Sequence, residues 1–426
     1  MAPANCEASY VMQEANRCLY CFDAPCIEGC PARVNVPEFV ARIRSGDLAG
    51  AGKLVYKENP LGWVCGQICP TEDLCAAKCV RGALDGPISI GILQAFACGY
   101  AVDHQLVRFH YPSGQLDKRI AVIGGGPAGL SCAHYLRLQS YPVTVFDREN
   151  NLGGLLRWGI PSHRLNRAAV DKEIALISSG LQWKRVEVGQ SLPNRILTEY
   201  DAVFLAPGRW SFPPLAVPGS DLPQVASANI FLKDCAEDNV GSYDLRDKEA
   251  AIIGGGSTAI DAARACLEVG ARRAIVVYRR GRREMLACSS EYLSAAEAGV
   301  EFIWVSNPVS VSKMGEGLSL ELDKMTLGET DESGRRQPTP IGRRTSLVID
   351  RVLVAVSSLP ESSSLSGWPE LEILSSGRPA ARCTQNATVP KLFLGGDVIG
   401  AGTVVQAVAD GKCAAERMHE WLSEQT

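Results

Sequence analysis

The chain has 426 residues, of which 46% are hydrophobic and 21% are charged, and its formal net charge is −4. This length predicts about three domains, and the charge balance excludes the basic surface that nucleic-acid binding needs. No run of about 18 uncharged apolar residues occurs, which argues against a membrane span, and the first residues do not resemble a signal peptide. We therefore expect a cytoplasmic protein with no nucleic-acid partner.

Cysteine is concentrated in the amino-terminal part. The chain has 16 cysteines, and eleven of them precede residue 133. In a reducing compartment such a concentration is more typical of metal binding than of disulfides. Two runs resemble ferredoxin sequences, in which a proline follows a cysteine: Cys18, Cys21, Cys26 and Cys30 before Pro31, and Cys65, Cys69 before Pro70, Cys75 and Cys79. One cysteine of such a run often serves the other cluster, so the pattern predicts two [4Fe-4S] clusters.

A structural zinc site is the alternative, but zinc favours two CxxC-type pairs and only Cys18 with Cys21 forms one. The apolar spacing over residues 36–43, with Pro37 near a first turn, is typical of a helix. Residues 1–115 are therefore predicted to form a small, mostly helical cluster-binding domain. Six further cysteines are expected in the core: Cys98, Cys132, Cys235, Cys266, Cys383 and Cys413. Cys288 stands alone, so a thioredoxin-reductase-type dithiol is not indicated.

From residue 119 onward the pattern changes to a strand (120–123), a glycine turn, a helix (128–139) and a second strand (143–147), which is the unit of a doubly wound parallel sheet. The turn reads Gly124, Gly125, Gly126, Pro127, Ala128 and Gly129. Its glycines permit a tight turn, close approach to a pyrophosphate and tight packing of helix on strand. Asp147, 23 residues after Gly124, is placed to bind ribose hydroxyls. A purely structural turn is the alternative, but the context favours FAD binding.

The same unit returns with a strand (250–253), a glycine turn, a helix (258–269) and a strand (273–278). This turn reads Gly254, Gly255, Gly256, Ser257, Thr258 and Ala259. The second strand ends in Arg279 and Arg280, with Arg282 and Arg283 close behind. Guanidinium groups there would pair with a 2′-phosphate, which a carboxylate would repel, so NADPH is favoured over NADH. A basic turn in water is the alternative interpretation.

The remaining chain contains a polar segment (327–344), interpreted as a solvated hairpin or excursion, two predicted strands (348–356 and 391–394) and a closing helix (403–422). The predicted fold class is α/β, with a helical double [4Fe-4S] domain (1–115) before two doubly wound parallel-sheet domains. The FAD-binding domain is discontinuous (116–245 and 366–426) and encloses the NAD(P)H-binding domain (246–365). Hydride transfer between the stacked rings of two cofactors needs no acid or base, so no catalytic side chain is predicted.

With these motifs in hand, the whole chain resembles the family of the bacterial glutamate synthase small subunit and the N-terminal half of dihydropyrimidine dehydrogenase. The motifs that carry the resemblance are Cys-x-x-Cys-Phe-Asp-Ala-Pro-Cys (18–26), Asn-Pro-Leu-Gly (59–62) and Cys-Gly-Gln-Ile-Cys-Pro-Thr (65–71). They look closest to the separate small, NAD(P)H-oxidising subunit of bacterial dihydropyrimidine dehydrogenase. Val356, Ser357 and Ser358 depart from the family pattern beside the expected nucleotide.

The resemblance implies the ligands of each cofactor. One cluster would be held by Cys18, Cys21, Cys26 and Cys79, and the other by Cys30, Cys69, Cys75 and Gln94, although the spacing alone favours Cys65 as its fourth ligand. FAD would be met by Gly124, Gly126, Pro127, Ala128, Gly129, Asp147, Gly153, Gly154, Leu155, Arg164, Gly396, Asp397, Thr403 and Val404. The dinucleotide would be met by Gly254, Gly256, Ser257, Thr258, Arg279 and Arg280.

The expected function is electron input: hydride passes from NADPH to FAD, and single electrons pass through two clusters to a separate partner subunit in a hetero-oligomer. The favoured partner reduces pyrimidines, as in dihydropyrimidine dehydrogenase. The alternatives are the small subunit of glutamate synthase, an NAD(P)H:ferredoxin-type reductase, and a non-catalytic, zinc-stapled nucleotide-binding protein.

Overall fold

A computed structural model describes residues 8–114, 116–186, 192–368, 371–380 and 391–425. The chain divides into two compact units. The smaller unit comprises Trp158–Ser162 and Phe212–Ser358, and the larger unit comprises the described parts of Ala2–Arg157, His163–Ser211 and Leu359–Thr426.

The described part of the larger unit before residue 120 contains helices and no strands. These helices are α1 (Ala8–Asn16), α2 (Pro25–Glu28), α3 (Val36–Arg44), α4 (Leu48–Glu58), α5 (Gly62–Ile68) and α6 (Ile90–Asp103), with 3-10 turns at Ala76–Lys78 and Val80–Ala83. Helices α3 and α4 begin where the side chains of Asn35 and Asp47 accept hydrogen bonds from the backbone, as N-cap residues do. Helices α5 and α6 pack closely, because a Cβ at Gly66 would lie 2.8 Å from Ala95 Cα. The cysteines lie on and between these helices.

A parallel sheet follows in the same unit. Its elements are β1 (Ile120–Ile123), α7 (Pro127–Leu138), β2 (Val143–Asp147), α8 (Leu155–Trp158), α9 (Arg167–Ser178), β3 (Gln182–Arg185), α10 (Leu192–Glu199) and β4 (Ala202–Leu205). Strands β1 and β4 are completely buried, as expected for a parallel sheet covered on both faces.

The smaller unit contains a second parallel sheet. Its elements are β5 (Val225–Ser227), α11 (Ala228–Ala236), β6 (Glu249–Ile253), α12 (Ser257–Glu268), β7 (Arg273–Val277), α13 (Ser289–Glu297), β8 (Glu301–Ile303), β9 (Ser306–Met314), β10 (Gly317–Thr330), β11 (Arg336–Ile349) and β12 (Arg351–Val354), with 3-10 turns at Val240–Tyr243 and Arg282–Glu284. The parallel sheet has the order β5-β12-β6-β7-β8, and β9, β10 and β11 form an antiparallel sheet.

The chain then returns to the larger unit. It adds α14 (Ser362–Leu365), β13 (Leu392–Leu394), a 3-10 turn (Gly396–Ile399) and α15 (Val404–Ser423). Strand β13 pairs in parallel with β4, which gives the order β13-β4-β1-β2-β3. The predicted fold class, with its discontinuous flavin domain, is therefore confirmed.

One detail differs from the sequence expectations. The predicted strand at 348–356 is two strands, the end of β11 and β12, because the chain turns at Asp350. The polar segment at 327–344 is the outer part of an antiparallel hairpin formed by β10 and β11, and most of its residues are exposed, so the interpretation as a solvated hairpin is confirmed. No described helix is long and apolar enough to cross a membrane.

The cysteines predicted to lie in the core differ in how deeply they are buried. Cys98, Cys132 and Cys266 are buried as predicted, whereas Cys235 and Cys413 are only partly buried, because each lies on a helix face that reaches the surface. Cys383 lies outside the described residues.

Candidate functional site

Four thiols from two separate segments of the sequence come together near the amino terminus. We call Cys18, Cys21, Cys26 and Cys79 the first cysteine group. Burial first, and then the thiols of Cys79, Cys18 and Cys21, raise the pKa of Cys26 to about 11. The pKa of Cys18 is likewise raised by burial and then by Cys79 and Cys21. The fold thus brings together the four cysteines that the family resemblance assigned to one cluster.

A second set of thiols lies beside the first. We call Cys30, Cys65, Cys69 and Cys75 the second cysteine group. The pKa of Cys69 is raised well above its usual value by a hydrogen bond with Cys65, then by burial and by the other thiols of the group. Burial first, and then the thiol of Cys30, raise the pKa of Cys75 to about 12. The two groups are adjacent, because Cys26 also raises the pKa of Cys75.

Two side chains compete for the fourth place in the second group. The Cys65 thiol meets Cys69, at the carboxyl end of α5. Gln94 is buried on α6, where its Nε2 donates to the carbonyl oxygen of Gly62 over 2.8 Å. A thiolate is the usual iron–sulfur ligand. Cys65, which the spacing favoured, therefore stays a candidate for the fourth ligand beside Gln94.

The donor chemistry of both groups fits an iron–sulfur cluster. Thiols that raise one another's pKa resist becoming bare thiolates, whereas a bound metal centre supplies the positive charge that deprotonates a coordinating thiol. Among the described residues, no set of three or more histidine, cysteine or acidic side chains has the geometry of a single-ion site. The ligands of a cluster of four irons stand further apart than those of one ion.

The first glycine turn joins β1 to α7. A Cβ at Gly124, where φ is 102°, would overlap the carbonyl oxygen of Ala206, and a Cβ at Gly129 would overlap that of Gly124. At Gly126, by contrast, the nearest atom to a Cβ would be Gly154 Cα at 4.0 Å. The turn therefore leaves an open cradle at the start of α7, where backbone N–H groups and the helix dipole favour a phosphate. This cradle fits the pyrophosphate of FAD.

Asp147 ends β2 beside this cradle. Its Oδ2 accepts a hydrogen bond from Gly125 N over 2.6 Å, and its Oδ1 accepts one from Glu149 N over 2.8 Å. Burial raises the pKa of this carboxyl, while the two backbone donors oppose the rise. The aspartate thus braces the glycine turn, and its contact with a ribose stays a prediction.

The loop before α8 closes one side of the cradle. Gly153 N donates to the carbonyl oxygen of Gly125 over 2.8 Å, and Gly154 adopts a left-handed φ of 51°. Leu155 begins α8, and the half-buried Arg164 lies on the loop before α9. The loop fits a nucleotide-binding role because it packs backbone directly on the turn.

The carboxyl-terminal motif reaches the same place. A Cβ at Gly396 would lie 2.8 Å from Ala128 Cβ, so this loop touches the first turn of α7. The Thr403 hydroxyl accepts a hydrogen bond from Gln406 N over 3.2 Å and caps α15, which begins at Val404. The N-termini of α7 and α15, which are far apart in the sequence, therefore lie close together in the structure.

Two residues of this region were missed by the sequence reasoning. Arg209 Nη2 lies 3.9 Å from Asp397 Oδ2, and its buried Nε has no partner among the described residues. The buried Asp410 accepts a hydrogen bond from Gly396 N over 2.9 Å and so fixes the Gly396 loop. No motif marks either residue, because each acts through tertiary contacts.

The second glycine turn lies in the smaller unit, between β6 and α12. It contains the predicted contacts Gly254, Gly256, Ser257 and Thr258. A Cβ at Gly254 would overlap the carbonyl oxygen of Ala355, whereas a Cβ at Gly256 would have no atom within 4 Å. This turn therefore also leaves an open cradle at a helix N-terminus, which fits a dinucleotide pyrophosphate. The Ser257 hydroxyl donates to Glu291 Oε2 over 2.8 Å at the rim of this cradle.

The two arginines after β7 have different environments. Arg279 is exposed. Arg280 is buried, its Nη2 lies 2.6 Å from Asp331 Oδ2, and its Nε donates to the carbonyl oxygen of Arg336 over 2.8 Å. In this structure Arg280 holds the turn between β10 and β11, and Arg279 is the exposed member of the predicted pair.

Comparisons with known proteins agree with this architecture. Residues 2–106 match the family "Dihydropyrimidine dehydrogenase domain II, 4Fe-4S cluster", and residues 118–411 match the pyridine nucleotide-disulphide oxidoreductase family. The glutamate synthase [NADPH] small chain of Halomonas elongata is 32% identical, over 96% of this chain and 90% of its own. The NAD-dependent dihydropyrimidine dehydrogenase subunit PreT of Escherichia coli is 34% identical, over 96% of this chain and 94% of its own. Mycobacterium tuberculosis FprA in complex with NADPH shares the fold, with a TM-score of 0.63 and 19% identity over 72% of this chain and 85% of its own.

Proposed function

The chain belongs to the pyridine nucleotide-disulphide oxidoreductase family and is an FAD- and iron–sulfur-dependent NAD(P)H oxidoreductase, and we propose that it is the electron-input subunit of a complex that reduces pyrimidines. The observation that supports this most directly is the meeting of two four-thiol groups in a chain that also has two open nucleotide cradles. The flavin, when bound, accepts two electrons together and can release them singly, which a one-electron centre requires.

Each part of the chain has a stated task in this proposal. The cradle at Gly126 and the N-terminus of α15 bind and orient FAD, and the cradle at Gly256 binds the dinucleotide. A helix N-terminus also favours the negative charge of a reduced flavin. The two cysteine groups hold one [4Fe-4S] cluster each, the second with either Cys65 or Gln94 as fourth ligand. In the cytoplasm, where we place the protein, these thiols stay reduced.

We assign NADPH as the electron donor because of Arg279. Its guanidinium is exposed after β7, where a 2′-phosphate would lie. The names of the two relatives differ on this point, since one specifies NADPH and the other NAD. The assignment is tested by measuring kcat/KM for NADPH and for NADH and comparing their ratio. The variant is Arg279→Ala, and Arg280→Ala is the neighbouring control.

The surface over the first cysteine group supports a protein partner. Three large apolar side chains directly follow its cysteines in the sequence and are exposed: Leu19, Phe22 and Val80. Arg17 Nη2 donates to the carbonyl oxygen of Gly86 over 2.6 Å and so joins the two segments that carry them. Contiguous exposed apolar groups mark interaction sites, and we propose that these three form the surface through which electrons leave the chain.

The partner assignment is tested by two reactions side by side. Protein purified anaerobically with its partner from the native host is given NADPH with uracil, or with glutamine and 2-oxoglutarate. Reduction of uracil supports the proposal, and glutamate formation identifies the second candidate, a glutamate synthase small subunit, which the Halomonas relative favours. Protein that contains no iron and no FAD would refute both.

The proposed exit surface has a matched test. Phe22→Ser is expected to slow electron transfer to the partner while leaving NADPH-driven ferricyanide reduction unchanged. Ile341→Ser is the control, because Ile341 is also exposed but lies on β11 in the smaller unit. Equal partner rates in the two variants would contradict the assignment.

A further inference from the structure

A buried carboxylate on α9 receives three hydrogen bonds. Glu173 is completely buried, and its Oε1 accepts from the Tyr56 hydroxyl over 2.6 Å and from Trp63 N over 2.5 Å. Its Oε2 accepts from Val64 N over 2.9 Å. All three partners donate, and an ionised carboxylate is the side chain that only accepts. The surroundings of Glu173 therefore match its charged form.

Two of these donors belong to the first turn of α5. Trp63 and Val64 are the second and third residues of that helix, and its N-cap, Leu61, provides no side-chain hydrogen bond. The first N–H groups of a helix have no partner within the helix. Glu173 therefore makes the hydrogen bonds that an N-cap side chain would otherwise make. Helix α5 contains Cys65 and is followed directly by Cys69, its C-cap residue, so Glu173 caps the element that carries half of the second cysteine group.

A second contact joins the other end of α5 to the same helix. Gln67 Oε1 accepts a hydrogen bond from Asn166 N over 3.0 Å, and Asn166 is the N-cap of α9. The cysteine-bearing helix is therefore attached to α9 at both of its ends. Since α9 follows the cradle loop in the flavin-binding sheet, this attachment fixes Cys65 and Cys69 with respect to that sheet.

Tyr56 and Cys98, the ionisable side chains that interact with buried Glu173, are neutral. Burial raises the pKa of Glu173 to about 7, while Tyr56 and the two N–H groups oppose the rise. Burial raises the pKa of Tyr56 and that of Cys98 well above their usual values, so both stay neutral. The adjacent Lys172 is exposed and pairs with Asp103 over 2.6 Å. The carboxylate is therefore mainly charged above about pH 7, where its three hydrogen bonds stabilise the charge without cancelling it.

We propose that Glu173 is a positioning residue for the centre held by the second cysteine group. Its carboxylate fixes the position of α5 through hydrogen bonds to the first turn of that helix. Its buried negative charge makes the addition of an electron to that centre less favourable. A low dielectric strengthens such an effect compared with a surface charge. The inference rests on the proposed function, because it requires a one-electron centre on those thiols.

Two substitutions of Glu173 separate the effect of its charge from the effect of its geometry. Glu173→Gln removes the charge at nearly constant size, and Glu173→Asp keeps the charge but is one methylene shorter. Asp171→Asn is the matched control, because Asp171 lies on the same helix with its side chain exposed, paired with Arg157 over 2.5 Å. Iron, FAD and thermal stability are measured on the anaerobic holoproteins, and midpoint potentials are obtained from redox titrations followed by electron paramagnetic resonance.

The expected result is that Glu173→Gln keeps its FAD and iron and shifts the midpoint potential of one centre upward. Asp171→Asn should keep the wild-type potentials, and Glu173→Asp should keep the potential but lose stability. Iron retained in the Asp variant but lost from the Gln variant also supports a role for the charge. Wild-type potentials in an iron-replete Gln variant, an equal shift in Asp171→Asn, or iron lost from both Glu173 variants with FAD retained would overturn the proposal. An iron-free wild-type protein would instead refute the proposed function itself.

Discussion

The open cradle at Gly256 makes a sharp prediction, because a methyl group can be added there without touching the protein. Gly256 has φ −100° and ψ 175°, a conformation that alanine adopts readily. A Cβ there would have no atom within 4 Å. We therefore expect Gly256→Ala to change the free energy of unfolding by no more than ~0.5 kcal/mol.

Dinucleotide binding should respond differently. The added methyl occupies the space in which a pyrophosphate approaches the backbone. Losing one hydrogen bond to a charged group costs about 1.5–3 kcal/mol, and each 1.4 kcal/mol is about tenfold in affinity. The dissociation constant of NADPH should thus rise about 10- to 150-fold, measured by titration of the purified protein, with its FAD content unchanged.

The control for this prediction is Gly254→Ala in the same turn. Gly254 adopts φ 151°, and a Cβ there would overlap the carbonyl oxygen of Ala355, so this variant should lose stability as well as binding. If Gly256→Ala binds NADPH as tightly as wild type, or unfolds as easily as Gly254→Ala, the cradle is not the pyrophosphate site.

Three further predictions concern ligands, nucleotide choice and acid. If Cys65 is the fourth ligand of the second centre, Cys65→Ser should lower the iron content and alter its paramagnetic resonance spectrum, whereas Gln94→Ala should do neither; the reverse pattern assigns Gln94. Arg279→Ala should raise the KM for NADPH by about tenfold or more, as expected for a lost charge-assisted bond, and leave the KM for NADH unchanged; an equal effect on both cofactors would contradict the assignment. Burial lowers the pKa of His134 to about 3, so its neutral form stabilises the fold above the ordinary pKa of 6.5, and this contribution is lost as the pH falls. Urea unfolding should show a loss of up to about 1.4 kcal/mol per pH unit below that value, and His134→Gln should lack that part of the slope.

Local chemistry made much of the fold predictable. The glycine turns could be located from the sequence because a strand, a tight turn and a helix are adjacent in the chain, and the bounds of β1 and β2 agree with the structure. The strand at 391–394 was also predicted, but its pairing with β4 was not.

Contacts between distant residues could not be predicted in the same way. Arg280 looked equivalent to Arg279 because its partner Asp331 lies 51 residues further along the chain. Glu173 resembled any glutamate on a helix, and its burial depends on how α9 packs against α5. The competition between Cys65 and Gln94 arises because α5 and α6 pack side by side, which cysteine spacing alone does not reveal.

The pairing of β13 with β4 also has a consequence for biosynthesis. Residues on both sides of the Gly126 turn are made early, but the strand and helix that complete that half of the molecule, β13 and α15, are made only after the unit that it encloses. The enclosed unit, Phe212–Ser358, is contiguous apart from a five-residue segment, so it can fold while synthesis continues. A polypeptide truncated before residue 392 would therefore contain the complete enclosed unit but would lack β13, the edge strand of the first parallel sheet.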